Sequence, residues 1–289
     1  MSKKKKLFTL FLALTVVFTM CFAAVPAYAA SGTAITNADE LKAMSANGNY
    51  YLANDIEVPA NLILFTSYDA PFTGTLDGNG HTIKGYTYTA SADWTEQAAL
   101  FGYAKNATFK NLKMTEVNIS LNQAGTVAAL VADSENCKFT DIRVSGKIVG
   151  KSLSTAAGIV AYSYEGGTLT NCKNSADITI TNADEGSSAA GVAGFIGSAG
   201  SMKNCSNSGK ISISGSIEAA SISAAGVVLN VGKATSCKNS GAISVSAIGN
   251  GRMNDECIAA GVAVEVDTAV SCSNTGKVSM NATVEAVAP

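Results

Sequence analysis

Histidine and arginine are almost missing from these 289 residues: His81 is the one histidine, and Arg143 and Arg252 are the only arginines. One histidine cannot supply the H-E-x-x-H pair of a zinc metallopeptidase, so that chemistry is excluded. Two arginines cannot track a phosphate backbone, and nucleic acid is not an expected partner. Beyond residue 29 no apolar run reaches membrane-spanning length. Strong amphipathic helical spacing is also absent from the second half, which argues against a stack of helices.

What the chain has instead is a repeat. TNCKNSADITI from Thr170, KNCSNSGKISI from Lys203, TSCKNSGAISV from Thr235 and VSCSNTGKVSM from Val270 align, with their cysteines 33, 32 and 35 residues apart. AAGIVA around Gly158, AAGVAG around Gly191, AAGVVL around Gly226 and AAGVAV around Gly261 keep the same step. A fixed period of this length means stacked units, each burying its apolar face against its neighbours. Within a unit the apolar period is two, the mark of a strand with one buried face: Ile178 and Ile180 alternate with Thr179 and Thr181, and Ile211 and Ile213 with Ser212 and Ser214. Three short strands per repeat, split by Gly, Asn and Ser turns, predict one coil of a parallel β-helix.

The first 29 residues read as an export signal and not as fold. Lys3, Lys4, Lys5 and Lys6 precede an apolar stretch over 7–25, and Ala27-Tyr28-Ala29 offers small residues where a signal peptidase cuts. The clustered lysines suit a Gram-positive exporter. Cleavage after Ala29 would remove four basic and no acidic residues, leaving a net charge of −6. Residues 30–60 are expected to form a cap and first strands, with Thr36-Asn37-Ala38-Asp39 starting a short helix over 36–44. Residues 61–289 are expected to form about six coils.

Six cysteines follow the signal, an even count that in an exported protein normally suggests disulfides. Their placement argues for buried thiols. Cys137, Cys172, Cys205, Cys237 and Cys272 are read as one position in successive coils, occupied by Leu112 in the first, and Cys257 aligns with Ile222. Positions that exchange with Leu and Ile face inward, where free cysteine packs as a small hydrophobe. Parallel side chains on adjacent rungs also suit a disulfide poorly. Asn174, Asn207, Asn239 and Asn274, two residues on, are read as an amide ladder closing a turn.

Several segments are familiar. Tyr51-Leu52-Ala53-Asn54-Asp55-Ile56 and the run from Phe72 through Asp77-Gly78-Asn79-Gly80-His81 to Gly85 resemble the opening of secreted bacterial β-helix proteins, as do Leu100-Phe101-Gly102-Tyr103 and Lys110-Asn111-Leu112. The later Gly-Ile/Val-Val/Ala segments are similar to the GLUG motif of adhesin-like surface proteins, also found beside the β-helical region of immunoglobulin-A metallopeptidases. The resemblance implies an all-β, right-handed parallel β-helix with a short N-terminal capping helix. It implies a secreted or cell-surface binding and adhesion scaffold, without the peptidase. No wall-sorting segment is recognised near the end of the chain.

Candidate sites are sparse, and no catalytic, cofactor or metal residue is predicted. Asp184, Glu185, Glu218, Asp255 and Glu256 mark the longer inter-coil loops and would form an acidic ridge for calcium or a basic partner if they share a corner. Thr179, Thr181, Ser212, Ser214, Ser244 and Ser246 would form a flat hydroxyl face able to contact carbohydrate. The expected partner is a host or bacterial surface carbohydrate or protein. The alternative is a polysaccharide hydrolase or lyase, since parallel β-helices often cleave acidic polysaccharides. Against it, Asp77–His81 reads as a glycine-rich turn, and Asp141 and Arg143 as an ordinary polar strand face around inward Ile142 and Val144.

Overall fold

A computed structural model describes residues 31–90, 95–183, 186–217, 221–249 and 257–284. Residues 1–29, where an export signal is expected, and the candidate acids Asp184, Glu185, Glu218, Asp255 and Glu256 lie outside the described residues. The chain winds as a parallel β-solenoid of about six turns. One sheet runs through Thr33–Ile35, Asn49–Leu52, Thr75–Asp77, Thr108–Lys110, Val131–Thr140, Val160–Thr170, Ala193–Phe195 and Val228–Thr235, ending on Ala263–Val270. The remaining ladders carry the Ile-Ser-Ile strands and the Ala-Ala-Gly strands, each paired to the equivalent strand of the next coil.

The predicted alternation sets the inward columns. Ile148 pairs Ile178, then Ile211, Ile243 and Val278; Ile180 pairs Ile213, Val245 and Met280. Ile178, Ile211 and Ile243 are fully buried, each worth about 1.5–3 kcal/mol of transfer free energy. The third wall is a column of small residues, Ala98, Val127, Ala156, Ala189, Ala224 and Ala259. Helix α1 (Ala38–Lys42) is shorter than expected. The Asn37 side chain accepts hydrogen bonds from the backbone N–H groups of Asp39 and Glu40, both at 3.0 Å, and Glu40 reaches back to Thr36. Leu41 and Met44 are buried in the same core as the first coils.

The glycine of each Ala-Ala-Gly motif has a specific job. A Cβ on Gly191 would lie 2.3 Å from Asn207 Cγ and 2.2 Å from the Gly226 carbonyl; Gly158 and Gly226 stand likewise against Asn174 and Asn239. The two motifs of the repeat therefore meet: glycine clears the space that the amide fills. Asn174 Nδ2 donates to Asn207 Oδ1 at 2.9 Å, Asn207 to Asn239 at 2.9 Å, and Asn239 to Asn274 at 2.7 Å. Each amide also grips the backbone two residues on, as Asn207 does with Gly209 N–H and C=O.

Two sequence expectations need correction here. The ladder asparagines are not themselves the turn residues; they sit in two-residue strands, with Asn174, Asn207 and Asn239 buried and Asn274 exposed on the last coil. The left-handed residues lie just before the inward cysteine column: Asn111, Asp141, Asn171, Asn204, Ser236 and Ser271, with φ between 52° and 56°, a region Asn and Asp tolerate best. Cys137 also leaves the thiol column. Lys113, Arg143, Lys173, Ser206, Lys238 and Ser273 pair in register on one face, so the residues before them, Leu112, Ile142, Cys172, Cys205, Cys237 and Cys272, form that column. Cys137 pairs Gly167 on the first sheet instead. The early coils are shorter, with Leu112 and Ile142 30 residues apart, and a 33-residue step carried backwards overshoots.

The described cysteines are free thiols, four of them buried, with Cys257 and Cys272 half-exposed on the last coil. Burial pushes the Cys137 thiol up to about 11. Hydrogen bonding to the neighbouring thiol raises Cys205 and Cys237 further. At neutral pH these groups stay protonated and unreactive.

Candidate functional site

On the first sheet, one outward position per coil escapes the uniformity of the repeat. It lies four residues after the small residue of each Ala-Ala-Gly or equivalent segment, and reads Tyr103, Asp133, Tyr162, Phe195, Asn230 and Glu265 down the stack. Two residues further on, Lys105, Glu135 and Tyr164 are in register. The upper end of this face carries a tyrosine-walled cleft.

Phenylalanines beneath the sheet position it. Phe72, Phe101, Phe109 and Phe139 stack through the core with ring centroids 5.0–5.7 Å apart. Phe65 lies over Phe101 at 5.9 Å with the rings 8° from parallel. Leu64 and Phe72 bridge to Phe101 and Ala104, so the chain over 65–71 is pinned at both ends beside the Phe101–Lys105 strand. Phe65 itself has φ +53°, an outlier for an aromatic residue and a sign of a locally over-determined turn. The loop sets Tyr68 edge-on against Tyr103, centroids 5.8 Å apart at 87°. Tyr164 forms the opposite wall, braced by Tyr162 at 4.6 Å. Tyr68 and Tyr164 are more than half or about half exposed, at 64% and 50%.

Asp133 lines both lobes of the cleft, one of about 190 Å³ and a more open one of about 350 Å³. It is only 8% exposed. Thr126 Oγ1 donates to its Oδ2 at 2.9 Å, and Gln97 Nε2 donates to the same oxygen. Oδ1 is buried with no hydrogen-bond partner among the described residues. Burial holds the Asp133 carboxyl above the usual carboxylate range; the Gln97 and Thr126 hydrogen bonds oppose this, and the charge of Glu96 adds to it. Tyr103 donates to Glu96 at 3.5 Å, and its phenol is raised by burial and then by Glu96 and Asp133. The one lysine of the cleft, Lys105, is bound to Glu135 at 2.6 Å, a hydrogen bond that raises its pKa.

The residues expected from sequence fall elsewhere. Thr179, Ser212, Ser244 and Ser279 do form an outward column, and Ser214 pairs Ser246. Thr181 does not join them: the register shifts after Ile180, with Asn182 left-handed at φ +53°, and Ala183 pairs Gly215. Asp77 closes a turn by accepting from Asn79 N–H at 2.8 Å and pairs Lys110, as a glycine-rich turn should. Ile142 and Val144 are buried with Arg143 outward. Among the described residues, no group of three or more His, Cys, Asp or Glu is placed to hold a metal ion, and no helix is long and apolar enough to cross a membrane.

The cleft was missed because its tyrosines occur as isolated residues in three early segments. The signal was nonetheless present: once the Ala-Ala-Gly segments are aligned, the position four residues on reads Tyr103, Asp133, Tyr162, Phe195, Asn230 and Glu265, a run of aromatic and polar side chains.

No family model matches the chain, and no curated protein matches it. Among solved structures, the crystal structure of a "putative immunoglobulin A1 protease" from Bacteroides ovatus is similar, with a TM-score of 0.52 at 15% identity, covering 89% of this chain and 85% of that one. At this identity the likeness is one of fold.

Proposed function

We propose that this protein is a secreted or cell-surface binding scaffold, adhesin-like and non-enzymatic, built from GLUG-type repeats, and that the tyrosine-walled cleft is where it recognises a surface carbohydrate or protein. The observation that carries the reading is the ring of Tyr68, Tyr103 and Tyr164 around a buried, half-satisfied carboxylate. Exposed tyrosines offer broad, rigid, amphipathic contact at small entropic cost. A concave site with few, well-held polar groups is the usual form of a ligand pocket. The rest of the solenoid holds that face flat and stiff.

The runner-up is a carbohydrate-active enzyme, and one observation favours it: Asp133 is a buried acid of raised pKa with Glu96 nearby, a pairing from which glycosidic cleavage can be built. A single experiment separates the two. The protein is incubated with a panel of polysaccharides and surface preparations and assayed for both pull-down and cleavage. The scaffold reading expects retention without cleavage, lost in Tyr68→Ala and Tyr164→Ala variants. Cleavage abolished by Asp133→Asn or Glu96→Gln at unchanged stability would replace it with the enzyme.

A further inference from the structure

The cleft is strongly one-signed. Among the described residues, Asp69, Glu96, Asp133 and Glu135 line its two lobes against Lys105 alone, and Lys105 is already engaged by Glu135. An anionic ligand is repelled from such a site, and a neutral sugar leaves its charge uncompensated. The walls have the complementary character. Tyr68 and Tyr103 stand at 87° to each other and Tyr164 faces the same space, so aromatic surfaces bound it on several sides. Ring faces attract a cation through their quadrupole, and carboxylates add charge. At the floor, Asp133 is more than nine-tenths buried and keeps one oxygen without a partner. Leaving a desolvated carboxylate half-satisfied is costly unless a positive group arrives to offset it.

We propose that the cleft binds an organic cation, an alkylammonium group presented by its surface ligand, held between Tyr68, Tyr103 and Tyr164 with Asp133 as counter-charge. This rests on the reading of the cleft as the recognition site and adds the class of ligand. A quaternary ammonium cannot donate a conventional hydrogen bond, so it is held by ring faces and charge together. Asp133 needs no direct contact for this: in a partly dry site its field acts over several ångströms.

The test compares two probes of nearly equal shape, choline and its uncharged isostere 3,3-dimethylbutan-1-ol, titrated into the purified protein by calorimetry at matched ionic strength. Choline is expected to bind saturably, and the isostere at least tenfold more weakly. Asp133→Asn should weaken choline at least tenfold, and Tyr164→Ala at least fivefold. Tyr164 is half exposed, so its truncation tests the cage even if the Asp133 variant folds poorly. Equal affinity for the isostere, no saturable choline binding, or choline binding indifferent to both substitutions would overturn the assignment. If choline fails while neutral glycans are retained in a Tyr164-dependent way, the scaffold reading stands and the cation is wrong. If Tyr164→Ala changes neither choline nor surface retention, both readings fall.

Discussion

Replacing Asn207 by Ala should be among the most damaging single changes in the chain. Asn207 is 1% exposed. Its amide makes four hydrogen bonds: it donates to Gly209 C=O and Asn239 Oδ1, both at 2.9 Å, and accepts from Gly209 N–H at 3.2 Å and Asn174 Nδ2 at 2.9 Å. At about 1 kcal/mol net per bond, and with the buried Gly209 N–H then left without its acceptor, the loss comes to about 3–5 kcal/mol. That is a large part of the roughly 5–15 kcal/mol a domain commands. The partner prediction sharpens it. Gly191→Ala drives a Cβ into both Asn207 Cγ and the Gly226 carbonyl and should cost a similar amount. In the double variant the Cγ clash is gone, although the Gly226 carbonyl and the residue-207 Cβ, 2.6 Å away, still crowd the new methyl, so the two losses should add to less than their sum. Urea unfolding at constant m gives all three values. A loss below about 1 kcal/mol for Asn207→Ala would show that the ladder is decoration and that side-chain packing alone sets the register. Strict additivity would refute the claim that glycine is there for the amide.

Other expectations follow from the same geometry. Ala189 pairs Ala224 and Ala190 pairs Ala225, so deleting residues 190–224 should close the chain in register and leave a folded solenoid one coil shorter, read as an unchanged β circular-dichroism shape; an unfolded product would count against this register. Cys205→Ser should cost about 1–3 kcal/mol in urea unfolding, and Cys205→Val less, because the site is dry; the reverse order would refute the apolar reading of the thiol column. Asp133 has a folded pKa above its unfolded value, so the folded state binds the extra proton between the two. Its ionisation therefore opposes folding, and this penalty should fade as pH falls through that window. Asp133→Asn should accordingly hold or raise the melting temperature at neutral pH and remove the stability gained as pH falls through that window, so that the acid limb steepens, measured with Glu96, Glu135, Asp69, Lys105, Tyr103 and Tyr164 kept; a fall of several degrees at neutral pH would mean the carboxylate is structurally required.

The fold was legible because the repeat imposes one physical demand per position. Ile178 and Ile211 must face inward, the AAG glycine must admit a neighbour, and Cys257 must substitute for Ile222, which it does. Where the demand is weaker, reading by similarity slipped: Cys137 was aligned by its side chain, whereas backbone pairing puts Ile142 in that column. The cleft is the converse case. Its residues come from a loop and five strands, including Thr95–Ala98 and Lys113–Ala128. Tyr68 and Tyr103 meet only because Leu64 and Phe72 anchor to the next coil, a long-range contact that no local pattern encodes. The unpartnered oxygen of Asp133 is likewise a property of the packed state.

The hydrogen bonds of every ladder, backbone and amide alike, join one coil to the next. Tension applied between the two ends of the stack therefore loads them one rung at a time, as a zipper is opened, instead of shearing a whole sheet at once. Each coil that lets go frees 33 residues, the step between Asn171 and Asn204, and so about 110 Å of extended chain. A tether of this design yields at low force and lengthens in even steps. The coils still closed keep their shape, because each depends only on its immediate neighbours. The cleft ends at the Val160–Thr170 strand, so a pull that begins at the last coil would open the coils of Ala263–Val270, Val228–Thr235 and Ala193–Phe195 before Tyr164 was disturbed.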